Sequence, residues 1–335
     1  MSDDRTATGE AVAARPILEL ATAFQRSRVL LTAYELGVFT VINEEWKTSA
    51  EVAEAIDTDP RATDRLMNAL TALGFLEKRD SRFTNSPAAA RFLVQGRPDY
   101  MAGLAHTNHL WQTWSGLTQA VRTGTGAVGD EVNQRGDDWL RAFIGAMHWR
   151  ARQSADGLVG LLDLASVSRV LDVGGGSGAF SMAFVRAGQG ISVVVFDVPN
   201  VVPLTKNYVE SAGYGAQIST VAGDYRHDDL PRGFDLVFLS AIVHANSATE
   251  NRRLIRKCAA ATEPGGQVVV VDQIMSEDRT SPLMGAMFAL NMLVGTGAGD
   301  TYTESEVRGW MEEAGLGNVT RKDTPFNNAL VIGRK

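Results

Sequence analysis

The chain has 335 residues, 44% of them hydrophobic, and a net charge of −7. That length allows two domains with real cores. The acidic balance argues against a nucleic-acid partner, which needs clustered Lys and Arg, and the single cysteine, Cys258, excludes an internal disulfide.

Residues 1–14 read as a short disordered lead-in. Met1 to Glu10 is polar and lacks the core of a signal peptide. No apolar run reaches the roughly 18–20 residues that span a bilayer, so a soluble, cytoplasmic protein without a membrane partner is expected.

From residue 15 to about 155 the pattern is helical. Ile17, Leu20, Ala21, Phe24 and Val29 recur at helical spacing. Lys47-Thr-Ser-Ala-Glu51 supplies a hydroxyl cap with an acid in the next turn and opens a helix through Ile56. Asp59-Pro60 caps a second helix over 61–73. Leu73 through Thr84 then reads as two short strands around a turn. The order is that of a winged helix-turn-helix, placed at 15–100, with connecting helices at 101–155. It raises a DNA-binding regulator as a rival function. Against that, the helix 61–73 carries only Arg61 and Arg65 as bases, offset by Asp64.

His106, His109, Trp111 and Trp114 share one helical stretch. The two histidines fall three apart on one face, yet no carboxylate or cysteine stands near them, and no metal site is expected. His227-Asp228-Asp229 reads as a solvated loop, and Cys258 as a small core residue.

Residues 156–335 alternate strands and helices. A helix over Asp156 to Leu164 leads in. Strands are expected at 169–173, 191–196, 216–221, 235–240, 266–272, 318–323 and 329–334. The first five, fed by helices, give a parallel sheet. Thr324-Pro-Phe-Asn-Asn328 makes a hairpin of the last two.

Leu171-Asp-Val-Gly-Gly-Gly-Ser-Gly178 ends the first strand in an acid and a turn that only glycine allows. Gly174-x-Gly176-x-x-Ala179 fits a dinucleotide fingerprint. Gly174-x-Gly176-x-Gly178 fits an S-adenosylmethionine fingerprint equally well. Asp197, ending the second strand and followed by Val198, suits a ribose in either case. Gly223-Asp224-Tyr225, after the third strand, offers an acid for an adenine amine and a ring for its face. A pyrophosphate would want backbone donors instead. The terminal hairpin, and a glycine turn past the chain midpoint, also point to S-adenosylmethionine.

These segments, with Leu239 through His244 and Glu263-Pro-Gly-Gly266, resemble the small-molecule O-methyltransferases. That family includes caffeate, chalcone and hydroxyindole O-methyltransferases and bacterial polyketide-tailoring enzymes. The resemblance runs from about residue 15 to the C-terminus. It implies a Rossmann-like α/β methyltransferase domain at 156–335 behind a mostly α winged-helix dimerisation domain, and hence a homodimer. It implies S-adenosyl-L-methionine as cofactor and a hydroxyl on a small, aromatic or polyketide-like molecule as acceptor. C- or N-methylation, or a cofactor-binding relative that does not methylate, is the alternative.

His244 follows the fourth strand at the carboxyl edge of the sheet, where ligands bind, and is the candidate general base. Asp272 ends the next strand and is placed to orient the imidazole. The resemblance assigns both roles too. Gly174, Gly176, Gly178, Asp197, Val198, Gly223, Asp224, Tyr225 and Ser240 are the candidate cofactor residues. Met147 and Asn291 are candidate acceptor contacts, the first on a helix with His148 that in the family faces the site. Asn291 stands in an otherwise apolar helix, and a matching asparagine contacts substrate in hydroxyindole O-methyltransferase.

Three departures stand out. The family's His-Asp-Trp is His244-Ala245-Asn246 here. The lysine that caffeate-type members place four residues before the histidine is Ser240. A second flanking glutamate is replaced by Thr301, also a candidate acceptor contact.

Overall fold

The computed structural model describes residues 6–126 and 136–335, with side chains from residue 14. The chain divides into two compact units, Met1–Asn108 and His109–Lys335.

The first unit is helical from Thr6 onward, within the stretch read as a lead-in; residues 1–5 of that stretch lie outside the described residues. Helices Thr6–Thr22, Phe24–Glu35 and Val38–Ile42 precede the wing. Thr48 and Glu51 form the anticipated capping box of the helix Ser49–Ala55, and Asp59 caps Pro60–Ala72 through the Ala62 N–H. Leu76–Arg79 and Arg82–Asn85 pair around Asp80 and Ser81, which both take positive φ, as a tight two-residue hairpin turn requires. A third strand, Lys47–Thr48, pairs with Arg82–Phe83 and was not anticipated. Phe39, Ile42, Val52, Met67, Leu70 and Phe83 fill the core beneath.

The second unit carries seven strands: β1 (Arg169–Val173), β2 (Ser192–Asp197), β3 (Ile218–Ala222), β4 (Phe234–Ser240), β5 (Thr262–Asp272), β6 (Gly317–Asp323) and β7 (Ala329–Arg334). They line up as β3-β2-β1-β4-β5-β7-β6. The first five are mutually parallel; β7 runs antiparallel between β5 and β6. The terminal hairpin is therefore present. Its helices include α1 (Asp137–Val159), α2 (Ala179–Ala187), α3 (Val202–Ser211), α4 (Ala248–Ala261), α5 (Leu283–Gly295) and α6 (Glu304–Glu313).

Both faces of the sheet are covered, which is why its central strands are runs of apolar residues rather than alternating ones. Leu171, Val237, Leu239, Val268 and Val270 point to one face, against Ile255 and Cys258 of α4 and Trp310 and Met311 of α6. Their chain neighbours Val170, Leu236, Phe238, Val269 and Val271 point to the other, against Leu158 of α1 and Phe184 of α2. Because β1, β2, β4 and β5 run parallel, their carboxyl ends lie along one edge.

β5 begins at Thr262, ahead of its expected start, because the Glu263-Pro-Gly-Gly266 segment itself runs extended into the strand. The helix expected to begin at Asp156 is the last turn of the long α1. A short parallel pair, Ile274–Met275 with Tyr302–Thr303, was not anticipated and anchors the segment after Asp272.

Candidate functional site

The glycine turn leaves β1 with Gly174, Gly176 and Gly178 all at positive φ (67°, 57° and 73°), a region that costs any residue with a Cβ. Gly174 is also crowded: a Cβ there would lie 2.3 Å from Cδ1 of Ile242, on the turn after β4. The two turns are thus in van der Waals contact.

Asp197 ties the glycine turn to the end of β2. Its Oδ2 accepts the Gly176 N–H at 2.8 Å and its Oδ1 the Val198 N–H at 2.8 Å. Each oxygen keeps a second lone pair for a hydroxyl. Burial pushes this carboxyl up to about 6, against the lowering effect of the two N–H donors. Asp172 lies deeper, 1% exposed, and accepts the Ser181 hydroxyl at 2.6 Å. Burial raises its pKa to about 7. Neither the burial of Asp172 nor its serine partner was anticipated.

On the far side of the turn, His148 of α1 meets the Ser177 hydroxyl at 2.8 Å and stacks on Tyr208 of α3 with centroids 4.2 Å apart. Desolvation lowers His148 to about 4, so it is neutral at ordinary pH. Met147 beside it is half-buried.

Gly223 follows β3, its N–H donating to the Asp197 carbonyl at 2.9 Å. A Cβ at Gly223 would sit 2.4 Å from the Phe196 ring. Burial pushes the Asp224 carboxyl up, but the backbone, side chain and charge of Arg226 more than offset it and leave the group below its usual value. The Tyr225 hydroxyl donates to Asn246 Oδ1 at 3.1 Å, and burial raises that phenol to about 12.

β4 ends at Ser240, level with Val271 of β5. The next residue, Ala241, takes φ +58°, a strained value for a residue with a side chain. A single 3₁₀ turn, Val243–Ala245, then presents His244. Its Nδ1 lies 2.9 and 3.0 Å from the two oxygens of Asp272, the last residue of β5. A carboxylate only accepts, so Nδ1 is the donor of this pair, and in the neutral imidazole Nε2 is the acceptor. No hydrogen bond to Nε2 is found among the described residues. The imidazole is 14% exposed and the carboxylate 4%. The Gln273 N–H donates to Asp272 Oδ1, and the Asp300 N–H to the His244 carbonyl at 3.0 Å.

Phe288 of α5 stands edge-on to the imidazole, centroids 4.8 Å apart. Asn291, three residues on, shares that helix face. Its Oδ1 accepts the Trp114 indole N–H at 2.8 Å, which leaves the amide NH₂ as its remaining donor. The sequence carries no signal of this partner, 177 residues away along the chain. Thr301 is 2% exposed, with its carbonyl held by Arg279 at 2.7 Å. His227, Asp228 and Asp229 are exposed, as expected of a solvated loop, and Cys258 is buried. Among the described residues no group of three or more His, Cys, Asp or Glu is placed to hold a metal ion, and no helix is long and apolar enough to cross a membrane.

Comparison with known proteins agrees with this geometry. A family model described as an O-methyltransferase domain matches residues 114–317, and one described as an O-methyltransferase dimerisation domain matches 18–95. A 3-hydroxy-5-methyl-1-naphthoate 3-O-methyltransferase of Streptomyces sahachiroi is 34% identical, covering 95% of this chain and 94% of its own. The tetracenomycin polyketide synthesis 8-O-methyl transferase TcmO of Streptomyces glaucescens is 32% identical over 95% and 96%. The solved structure of PigF with SAH superimposes at a TM-score of 0.89, is 25% identical, and covers 96% of this chain and 99% of that one. PigF of a Serratia species is described as an S-adenosyl-L-methionine-dependent methyl transferase.

Proposed function

The chain belongs to the O-methyltransferase family with an N-terminal dimerisation domain, and from that premise we propose that His244 removes the proton from a hydroxyl of a small aromatic or polyketide-like acceptor. The observation that carries this reading is the Nδ1 contact with both oxygens of Asp272, which leaves Nε2 turned away from that carboxylate.

The cofactor is S-adenosyl-L-methionine, and the residues present fit it. Gly174, Gly176 and Gly178, all at positive φ, let a ligand approach bare backbone, and Gly223 lets the Phe196 ring pack beside the β3 end. Asp197, next to Val198, would accept ribose hydroxyls. Asp224 would accept from the adenine amine and Tyr225 would cover the ring. Ser240, at the end of β4, would be a further contact to the cofactor. When bound, the cofactor supplies a methyl group activated by a sulfonium. The protein's tasks are then alignment, which contributes as much as roughly 7–11 kcal/mol in favourable cases, and proton removal, which typically adds about 10²–10⁴-fold.

His244 performs the second task. Asp272 fixes its tautomer and stabilises the imidazolium that forms. Phe288 restricts the ring from the side. Met147 and the Asn291 amide would contact the acceptor, and Thr301 follows the residue whose N–H fixes the His244 carbonyl. The acceptor class rests on the apolar character of α5 and on the acceptors named for the relatives above. The domains we assign are dimerisation at 15–100, connecting helices at 101–155 and methyl transfer at 156–335, working as a cytoplasmic homodimer without nucleic acid or membrane.

The test is turnover of labelled S-adenosylmethionine with a panel of hydroxynaphthoates and phenolic polyketides, with products identified by mass spectrometry and NMR. A methyl ether is expected. A new C–methyl or N–methyl bond overturns the assigned acceptor, and unchanged turnover in His244→Ala overturns the base.

A further inference from the structure

Asn246 has no part in the mechanism above, yet it is 3% exposed and its side chain is fully bonded. Its Oδ1 accepts the Tyr225 hydroxyl at 3.1 Å. Its Nδ2 donates to the Ile242 carbonyl at 3.3 Å and to Asn251 Oδ1 at 3.2 Å. Asn251, itself buried, donates to the Val243 carbonyl at 2.8 Å. The Asn246 carbonyl accepts the Tyr302 hydroxyl at 2.5 Å. Tyr302 belongs to the short strand that pairs with Ile274–Met275, just past Asp272.

These bonds converge on one turn. The carbonyls of Ile242 and Val243, the two residues before His244, are held by two buried carboxamides. A leucine would fill much the same volume without needing partners, so the amide contributes direction rather than packing. Buried polar networks with every member satisfied specify a single arrangement, and losing one partner leaves a buried polar group unsatisfied. The same carboxamide receives the hydroxyl of Tyr225, whose ring lies at the end of β3 on the cofactor side.

We infer that Asn246 is a positioning residue that transmits the seating of Tyr225 to the turn carrying His244. Ordering of the cofactor side and placement of the base are thereby one event. The inference rests on the site reading above, in which Tyr225 covers the adenine and His244 is the base.

Two variants of the full chain test it. Tyr225→Phe keeps the ring and removes only the hydroxyl. Asn246→Asp keeps the acceptor for Tyr225 and loses both donors to the turn. Calorimetry with S-adenosylhomocysteine gives affinity, and imidazole NMR signals, assigned with His244→Ala, report the base. In the unsubstituted protein, S-adenosylhomocysteine should change the His244 signals. In Tyr225→Phe the affinity should stay within about threefold, the scale of one neutral hydrogen bond, while the His244 response falls by about half or more. Asn246→Asp should weaken it likewise. The response of His148, bonded to Ser177 in the glycine turn, should persist in both and serves as control. A merely structural amide would lower thermal stability and leave the His244 response intact. An undiminished response in both variants overturns the inference alone. No uptake of S-adenosylhomocysteine by the unsubstituted protein overturns the site reading with it.

Discussion

His244 and Asp272 meet with the imidazole Nδ1 almost equidistant from both carboxylate oxygens, at 2.9 and 3.0 Å. This arrangement fixes the ring plane as well as the tautomer, since rotation about either side chain breaks both contacts. His244→Ala should lower turnover about 10²–10⁴-fold with little change in S-adenosylhomocysteine affinity. Loss of affinity in parallel with turnover would show the ring to be a cofactor contact instead.

Asp197 accepts N–H groups from two different turns, so its removal acts on both. Asp197→Ala leaves the Gly176 and Val198 donors without a partner. Hydrogen bonds to charged groups contribute about 1.5–3 kcal/mol, so calorimetry should find S-adenosylhomocysteine bound at least about tenfold more weakly. An affinity equal to that of the unsubstituted protein would remove Asp197 from the cofactor site.

Asp172 gives a pH signature. Burial raises its carboxyl from 3.8 to about 7 on folding, so the folded protein holds a proton there that the unfolded chain releases. That stabilisation is fully present below about pH 4 and is lost as the pH rises through 7. Asp172→Asn keeps an acceptor for Ser181 and carries no titration. Its thermal midpoint should exceed that of the unsubstituted protein at pH 8, and the gap should close toward pH 4. A constant gap across that range would rule out a raised pKa.

The N-terminal helices leave Ile17, Leu18, Leu20 and Phe24 between 52% and 79% exposed. Exposed apolar residues grouped in this way mark an association site, and Leu18, Leu20 and Phe24 fall at the start of the segment, 18–95, matched by the dimerisation model. Leu20→Arg should shift light-scattering mass from dimer toward monomer, with far-UV dichroism unchanged.

Gly223→Ala places a Cβ against the Phe196 ring. Overpacking of this kind costs about 1–3 kcal/mol. Denaturant unfolding should show a lowered midpoint, and S-adenosylhomocysteine affinity should fall because the β3 end is displaced.

The methyltransferase sheet was largely legible in the sequence. Buried strands such as Val170-Leu171 and Val268–Val271 leave uninterrupted apolar runs, and Asp197 and Asp272 mark where their strands meet the edge, with Asp172 one residue short of it. The pairing of His244 with Asp272 followed from both standing at one edge. What escaped was long-range and polar. Trp114 reaches Asn291, Tyr225 reaches Asn246, and Ser181 reaches Asp172. Such partners have no periodicity and no fixed spacing, so only the folded chain reveals them. The short strands Lys47–Thr48 and Tyr302–Thr303 escaped for a related reason: two residues are too few to set a pattern.

The contact of Ile242 with Gly174 binds two remote stretches of chain into one design problem. Enlarging position 242 to reshape the surroundings of the imidazole pushes against the glycine turn after β1, and reducing it leaves a void beneath that turn. Libraries aimed at new acceptors should therefore hold 242 fixed and diversify elsewhere, for example along α5.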